Sequence, residues 1–141
     1  MMYPMKNYQL LAFLLFSSQI LGQPFIGQRE ITNYEKKKYN AGIQNWQIQQ
    51  DKQGRMYFAN NEGVLSFDGN YWELYPLPNK TIVWSVEMAN NQLFVGGQDE
   101  MGFLSPDKSG QLSFHSLKSY LDESDQKFAD IWNIVNVGDD I

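Results

Sequence analysis

The chain has no cysteine and a single histidine, His115. Without thiols there is no disulfide framework, no thiolate metal site, no iron–sulfur cluster, no thiol nucleophile and no thioether lipid anchor. One imidazole does not make a histidine metal centre, so no metal or other cofactor is expected. Basic charge is scarce as well: 11 Lys and Arg stand against 16 Asp and Glu, for a net charge of −5. That balance argues against a polyanionic partner, and no nucleic-acid contact is expected of this chain. Long apolar runs are also missing. Residues 10–16, LLAFLLF, fall far short of the roughly 20 apolar residues with which a helix crosses a bilayer. What is present is a composition of 43% hydrophobic, 15% aromatic and 19% charged residues, which suits a packed core and excludes collagen-like, coiled-coil and low-complexity chains.

Residues 1–9 carry one positive side chain, Lys6, and no acid; residues 10–16 are apolar, and residues 17–23 turn small and polar. This is the layout of a secretory signal peptide, expected over residues 1–22, with cleavage after Gly22. Ile20 and Gly22 then stand three and one residues before the cut, and Pro24 just beyond discourages helix. A buried N-terminal helix is the alternative. Export without cysteine suits a bacterial periplasm or cell exterior. Asn79-Lys80-Thr81 fits the N-glycosylation pattern, which is short enough to arise by chance and is given no weight.

Residues 23–41 form a polar lead-in whose Lys36-Lys37-Lys38 is the only basic cluster, read as a solvated loop or edge. From Gly42 onward, short apolar or aromatic runs alternate with turn signals, the pattern of an all-β chain. Strands are expected over residues 46–50, 55–60, 64–67 and 71–75. Between them lie Asp51-Lys52-Gln53-Gly54, Asn60-Asn61-Glu62-Gly63 and Asp68-Gly69-Asn70, which can close tight hairpins.

The four-strand unit then recurs. Trp46-Gln47-Ile48 is answered by Trp84-Ser85-Val86 and again by Trp132-Asn133-Ile134. Met56-Tyr57-Phe58-Ala59-Asn60 aligns with Leu93-Phe94-Val95-Gly96-Gly97, and Gly63-Val64-Leu65-Ser66 with Gly102-Phe103-Leu104-Ser105, across a longer turn at residues 98–101. Trp46, Gly63, Trp84, Gly102 and Trp132 mark the repeat. The second unit gains a loop over residues 117–128, after its fourth strand at residues 111–117, where length does not disturb pairing.

A period near 40 residues with four strands per unit is that of a β-propeller blade, whereas solenoid repeats of similar length are helical. Trp84, Val86 and Met88, like Trp46 and Ile48, fall on one face at period two, so each sheet has a side to bury against a neighbour. The expected fold is all-β: a partial β-propeller of about two four-stranded antiparallel blades, residues 42–80 and 81–128, plus the first strand of a third at residues 129–141. Since a propeller closes with roughly four to eight blades, the chain reads as the N-terminal part of a longer protein. A small complete β-sandwich of nine short strands stays open, because regularly spaced short strands give the same local signals.

Residues 42–54, GIQNWQIQQDKQG, followed by residues 56–69, MYFANNEGVLSFDG, closely resemble the first blade of the two-component regulator propellers. The resemblance covers residues 42–141 and is looser in the second unit. It implies the periplasmic sensor of a bacterial transmembrane regulator, in which a triple-tyrosine domain, a membrane helix and a histidine kinase or helix-turn-helix output follow. None of that output lies in these residues. The Gly96-Gly97 pair equally resembles a kelch repeat, although the first unit has Ala59-Asn60 there; neither complete unit has the Gly-His and Trp-Asp landmarks of WD repeats.

Candidate sites are few. The acids Asp99-Glu100, Asp122-Glu123-Ser124-Asp125 and Asp139-Asp140 sit in expected loops or at the chain end and read as solvated turns. Residues 122–125 lack the Gly and distal Glu of an EF-hand. His115 has no Ser and Asp arrangement around it and reads as a strand surface residue. Tyr71-Trp72 or Trp132 could stack on sugar rings at a propeller mouth, but recurring Trp positions are also what blade packing demands. No catalytic, metal or cofactor residue is expected, and the chain is not expected to be an enzyme. The expected function is the N-terminal part of an exported ligand-sensing propeller that regulates transcription. Its partners are an unidentified periplasmic or extracellular ligand, with glycans a candidate class, the remaining blades of the same propeller, and a second copy in a full-length homodimer. The alternatives are a secreted propeller lyase or hydrolase acting on glycans, and a carbohydrate or protein adhesion module.

Overall fold

The computed structural model describes residue 27 and residues 30–137; the expected leader lies outside the described residues. The compact unit that carries the repeats begins at Tyr34. A four-residue helix, α1 (Lys36–Tyr39), comes first and ends at Asn40, whose left-handed backbone, φ 45°, turns the chain toward the first strand. Eight strands follow: β1 (Asn45–Gln50), β2 (Met56–Asn60), β3 (Gly63–Phe67), β4 (Trp72–Tyr75), β5 (Val83–Ala89), β6 (Gln92–Gly97), β7 (Met101–Pro106) and β8 (Leu112–Ser116). They form two antiparallel sheets, each in sequential order, β1-β2-β3-β4 and β5-β6-β7-β8. The fold is therefore all-β, two unclosed four-stranded meanders of the kind a partial β-propeller requires.

Turn chemistry follows the residues. The Asp51 carboxylate accepts the Gln53 and Arg55 amides at 2.9 Å each, and Asp68 and Asp107 close the β3–β4 and β7–β8 turns in the same way. Asn90 and Asn91, both at positive φ, close the β5–β6 hairpin. Gly63, at φ +140°, lies so close to the Tyr75 carbonyl that a Cβ has no room. The lead-in read as a loop contains α1, and the inserted loop contains a 3-10 turn at Lys118–Tyr120.

The two sheets meet head to tail. Tyr57, Ala59, Val64 and Tyr75 of the first sheet bury against Val86, Leu93, Val95 and Leu104 of the second, with Phe114 packed beside them. The ladders pair Ile48 with Phe58 and Val86 with Val95, so Tyr57 repeats as Phe94. Tyr57 faces the core, whereas Phe94 is on the second sheet's opposite face. The first sheet's front thus packs on the second sheet's back, which is how blades stack around a propeller axis; a sandwich buries the like faces of two sheets. Strand β1 lies beside β5 and β4 beside β8, and Gln49 donates to Glu87 across the inner strands at 2.8 Å.

Ladder register places the repeat glycines differently from their sequence match. Ala59 pairs with Val64 and Gly96 with Met101, so the two central turns are equal in length. Glu100 holds the ladder position of Gly63, and Gly102 that of Leu65. Gly102 has its own reason to lack a side chain: a Cβ there would run into the His115 carbonyl and the Phe114 ring.

Candidate tryptophan site

Both innermost strands open with an irregularity. The ladder shifts register between Asn45 and Gln47 in β1 and between Val83 and Ser85 in β5, so Trp46 and Trp84 are each the extra residue of a β-bulge. A bulge re-aims the side chain it carries. The period-two placement of Trp84 with Val86 and Met88 is accordingly corrected: Val86 and Met88 belong to the inter-sheet core, and Trp84 lies outside it.

The bulges bring the repeated tryptophans together. The rings of Trp46 and Trp84 stand 4.6 Å apart at 62°, those of Trp84 and Trp132 4.2 Å apart at 31°, and those of Trp46 and Trp132 6.4 Å apart at 87°. Trp132 arrives on a segment with no ladder of its own among the described residues. It is tied to the second sheet by an isolated bridge between Gln98 and Asp130. The Ile131 amide donates to the Gly97 carbonyl at 3.1 Å, and the Ser85 hydroxyl to the Ile131 carbonyl at 2.8 Å. Gly96 permits this approach, since a Cβ there would meet the Ile131 side chain at 2.5 Å.

Two indole nitrogens are fixed by the turns around them. The Trp46 Nε1–H donates to Asn61 at 2.8 Å and the Trp84 Nε1–H to Asp130 at 3.0 Å. Trp46 remains 41% exposed and Trp132 60%, an unusual amount of indole left in water. Behind the third segment lies an apolar cavity of about 390 Å³, lined by Phe94, Met101, Leu117, Ile131, Ile134 and Val135.

The other candidates are not brought together. Asp99 pairs with Lys118 at 2.7 Å, and that hydrogen bond holds its carboxyl below the usual carboxylate range. Glu100 is buried and accepts the Ser116 hydroxyl at 2.6 Å and the Met101 amide at 3.1 Å. Asp122 and Asp125 end one exposed turn. Asp139 and Asp140 lie outside the described residues. His115 is exposed on β8, stacked on Phe103 at 5.3 Å with the Ser113 hydroxyl 3.2 Å away, and among the described residues no carboxylate is bonded to it. Among the described residues no group of His, Asp and Glu is placed to hold a metal ion, and no helix is long and apolar enough to cross a membrane.

Tyr71 is exposed, while Trp72 stacks on Phe67 at 4.3 Å inside an aromatic cluster with Phe58, Tyr34 and Tyr39. Sequence reasoning passed over the part of Tyr34 and Tyr39, because two aromatics beside a lysine run carry no periodic signal. The chain matches no protein-family model, no curated protein and no solved structure.

Proposed function

We propose that this chain is the N-terminal part of an exported, ligand-sensing β-propeller of a bacterial signal-transduction regulator, and that the end bearing Trp46, Trp84 and Trp132 receives the ligand. The observation that carries the reading is the convergence of three repeated indoles at one end of the sheets, two of them substantially exposed. An exposed indole face binds flat, partly apolar ligands, and its anchored neighbours hold it in place without further ordering cost. The chain performs no chemistry in this reading. Ligand contact across tryptophans from successive blades would alter how those blades sit, and that is the signal passed on. The same exposed indoles also suit a carbohydrate or protein adhesion module, in which binding is the whole function.

The test is a tryptophan-fluorescence titration of the chain against a panel of neutral and acidic oligosaccharides and short peptides. A saturable change that Trp132→Ala abolishes, with the β-sheet circular dichroism kept, supports the site. If nothing on the panel changes the emission, while Trp132→Ala lowers thermal stability, the indoles serve packing and the reading fails. Binding without a shift in hydrodynamic size or assembly favours the adhesion module over the sensor.

A further inference from the structure

The connection that delivers the third tryptophan is about twice as long as the one before it. From the end of β4 the chain reaches Trp84 over residues 76–83, and from the end of β8 it reaches Trp132 over residues 117–131. A longer flexible connection costs more entropy to close. Here its two ends are drawn together at one side chain. The Lys118 ammonium donates to the Asp99 carboxylate at 2.7 Å and to the Asp99 carbonyl at 2.9 Å, and it stands 5.3 Å from the centre of the Phe128 ring. The Asp99 amide, in the same β6–β7 turn, donates to the Ala129 carbonyl at 2.7 Å. These contacts close a neck just before Trp132.

We propose that Lys118 is a positioning residue for the tryptophan site: it clasps the neck of the inserted loop onto the β6–β7 turn and thereby sets how Trp132 lies against Trp84. The near bank of the neck is fixed by the Ser116 hydroxyl, which accepts the Lys118 amide at 3.2 Å and donates to the buried Glu100 at 2.6 Å. The far bank runs straight on to Asp130, which bridges to Gln98 and accepts the Trp84 Nε1–H. Between the banks, among the described residues, the hydrogen bonds made by residues 119–127 stay within residues 117–127, so the loop itself does not place its far end. A lone ion pair at the surface contributes little. This ammonium instead meets a carboxylate, a carbonyl and an aromatic ring at once, and its side chain is only 24% exposed. Trp46 and Trp84 sit on the sheets themselves, so their contact does not pass through the neck. The proposal rests on the reading of the three indoles as a ligand site and gives that site its point of adjustment: drawing Lys118 away from Asp99 moves one indole and leaves the other two together.

Far-ultraviolet circular dichroism tests this, because indoles in contact couple their transitions into paired bands of opposite sign. Lys118→Met keeps the aliphatic stem and loses the charge, and it should lower the paired bands to about the level of Trp132→Phe. Lys118→Arg, which keeps charge and donors, should hold them at the wild-type level. In a Trp132→Phe background Lys118→Met should bring no further loss, since the Trp46–Trp84 coupling that remains does not depend on the neck. A further loss there would assign Lys118 to the stability of the sheets as a whole and overturns the proposal, as does a Lys118→Met spectrum equal to the wild type. In both cases the wild-type bands stand, and with them the ligand-site reading; a wild type without paired bands ends that reading and this proposal together. Should Lys118→Met lose its β-sheet signal, Asp99→Asn is read by the same criteria, because asparagine tolerates the left-handed backbone at that position, φ 51°.

Discussion

Asn60 and Gly42 hold each other through both backbone groups of the glycine. The Gly42 amide donates to the Asn60 side-chain oxygen at 2.9 Å, and the Asn60 amide donates back to the Gly42 carbonyl at 2.7 Å. The same fully buried side chain accepts from the Glu62 amide, and its two N–H groups are shared among the Gly42 and Gln44 carbonyls and the Asn45 side-chain oxygen. It thereby fastens the start of β1 to the end of β2, beside the Trp46 bulge. Asn60→Ala removes the partner of donors and acceptors on four neighbours, those of Gly42 buried, and should cost about 3 kcal/mol. The urea midpoint should fall with little change in slope. Gly42→Ala, whose Cβ would stand 2.7 Å from the Asn60 oxygen, acts on the same clasp, so the two losses should be less than additive. A loss below about 1 kcal/mol for Asn60→Ala would show that water replaces the clasp.

Tyr75 sets an alkaline limit on stability. Burial, reinforced by its 2.6 Å hydrogen bond to Glu73, pushes its hydroxyl up to about 12 from an ordinary 10.0. Burial raises Tyr57 in the same direction. Between pH 10 and 12 the unfolded chain releases a proton that the folded chain keeps, so stability from this source is complete below pH 10 and is lost as pH rises toward 12. Tyr75→Phe cannot ionise and should flatten that decline while losing the Glu73 bond at neutral pH. Urea unfolding of both proteins at pH 8, 10 and 11 checks it; parallel declines would mean that Tyr75 ionises freely in the folded state.

The strands and their order were legible because aromatic runs and Asp, Asn and Gly turns are local signals, and antiparallel meanders pair neighbours in sequence. The recurrence of Trp46, Trp84 and Trp132 was equally plain. Their meeting was hidden by the bulges, since an extra residue in one strand is defined only by the partner it fails to pair with. Gly102 misled for a related reason: its match to Gly63 is real as sequence, but register is set by turn length, and the two turns are equal. Asn60 gave no sign of its burial, because a turn asparagine and a buried one are written alike.

The tryptophan cluster should be visible spectroscopically without any ligand. Indoles held 4.2 and 4.6 Å apart at 31° and 62° couple their strong ultraviolet transitions, which gives paired bands of opposite sign in far-ultraviolet circular dichroism, superimposed on the β-sheet spectrum. Trp84 is common to both close contacts, so Trp84→Phe should remove most of the paired signal. Trp132→Phe should remove only part, because the Trp46–Trp84 pair survives it. Trp72, stacked on Phe67 and in contact with none of these three, should contribute little, and Trp72→Phe serves as the control. Equal spectra for the Trp84 and Trp72 variants would mean that the three indoles do not meet in solution, and the ligand site proposed on them would fall with that result.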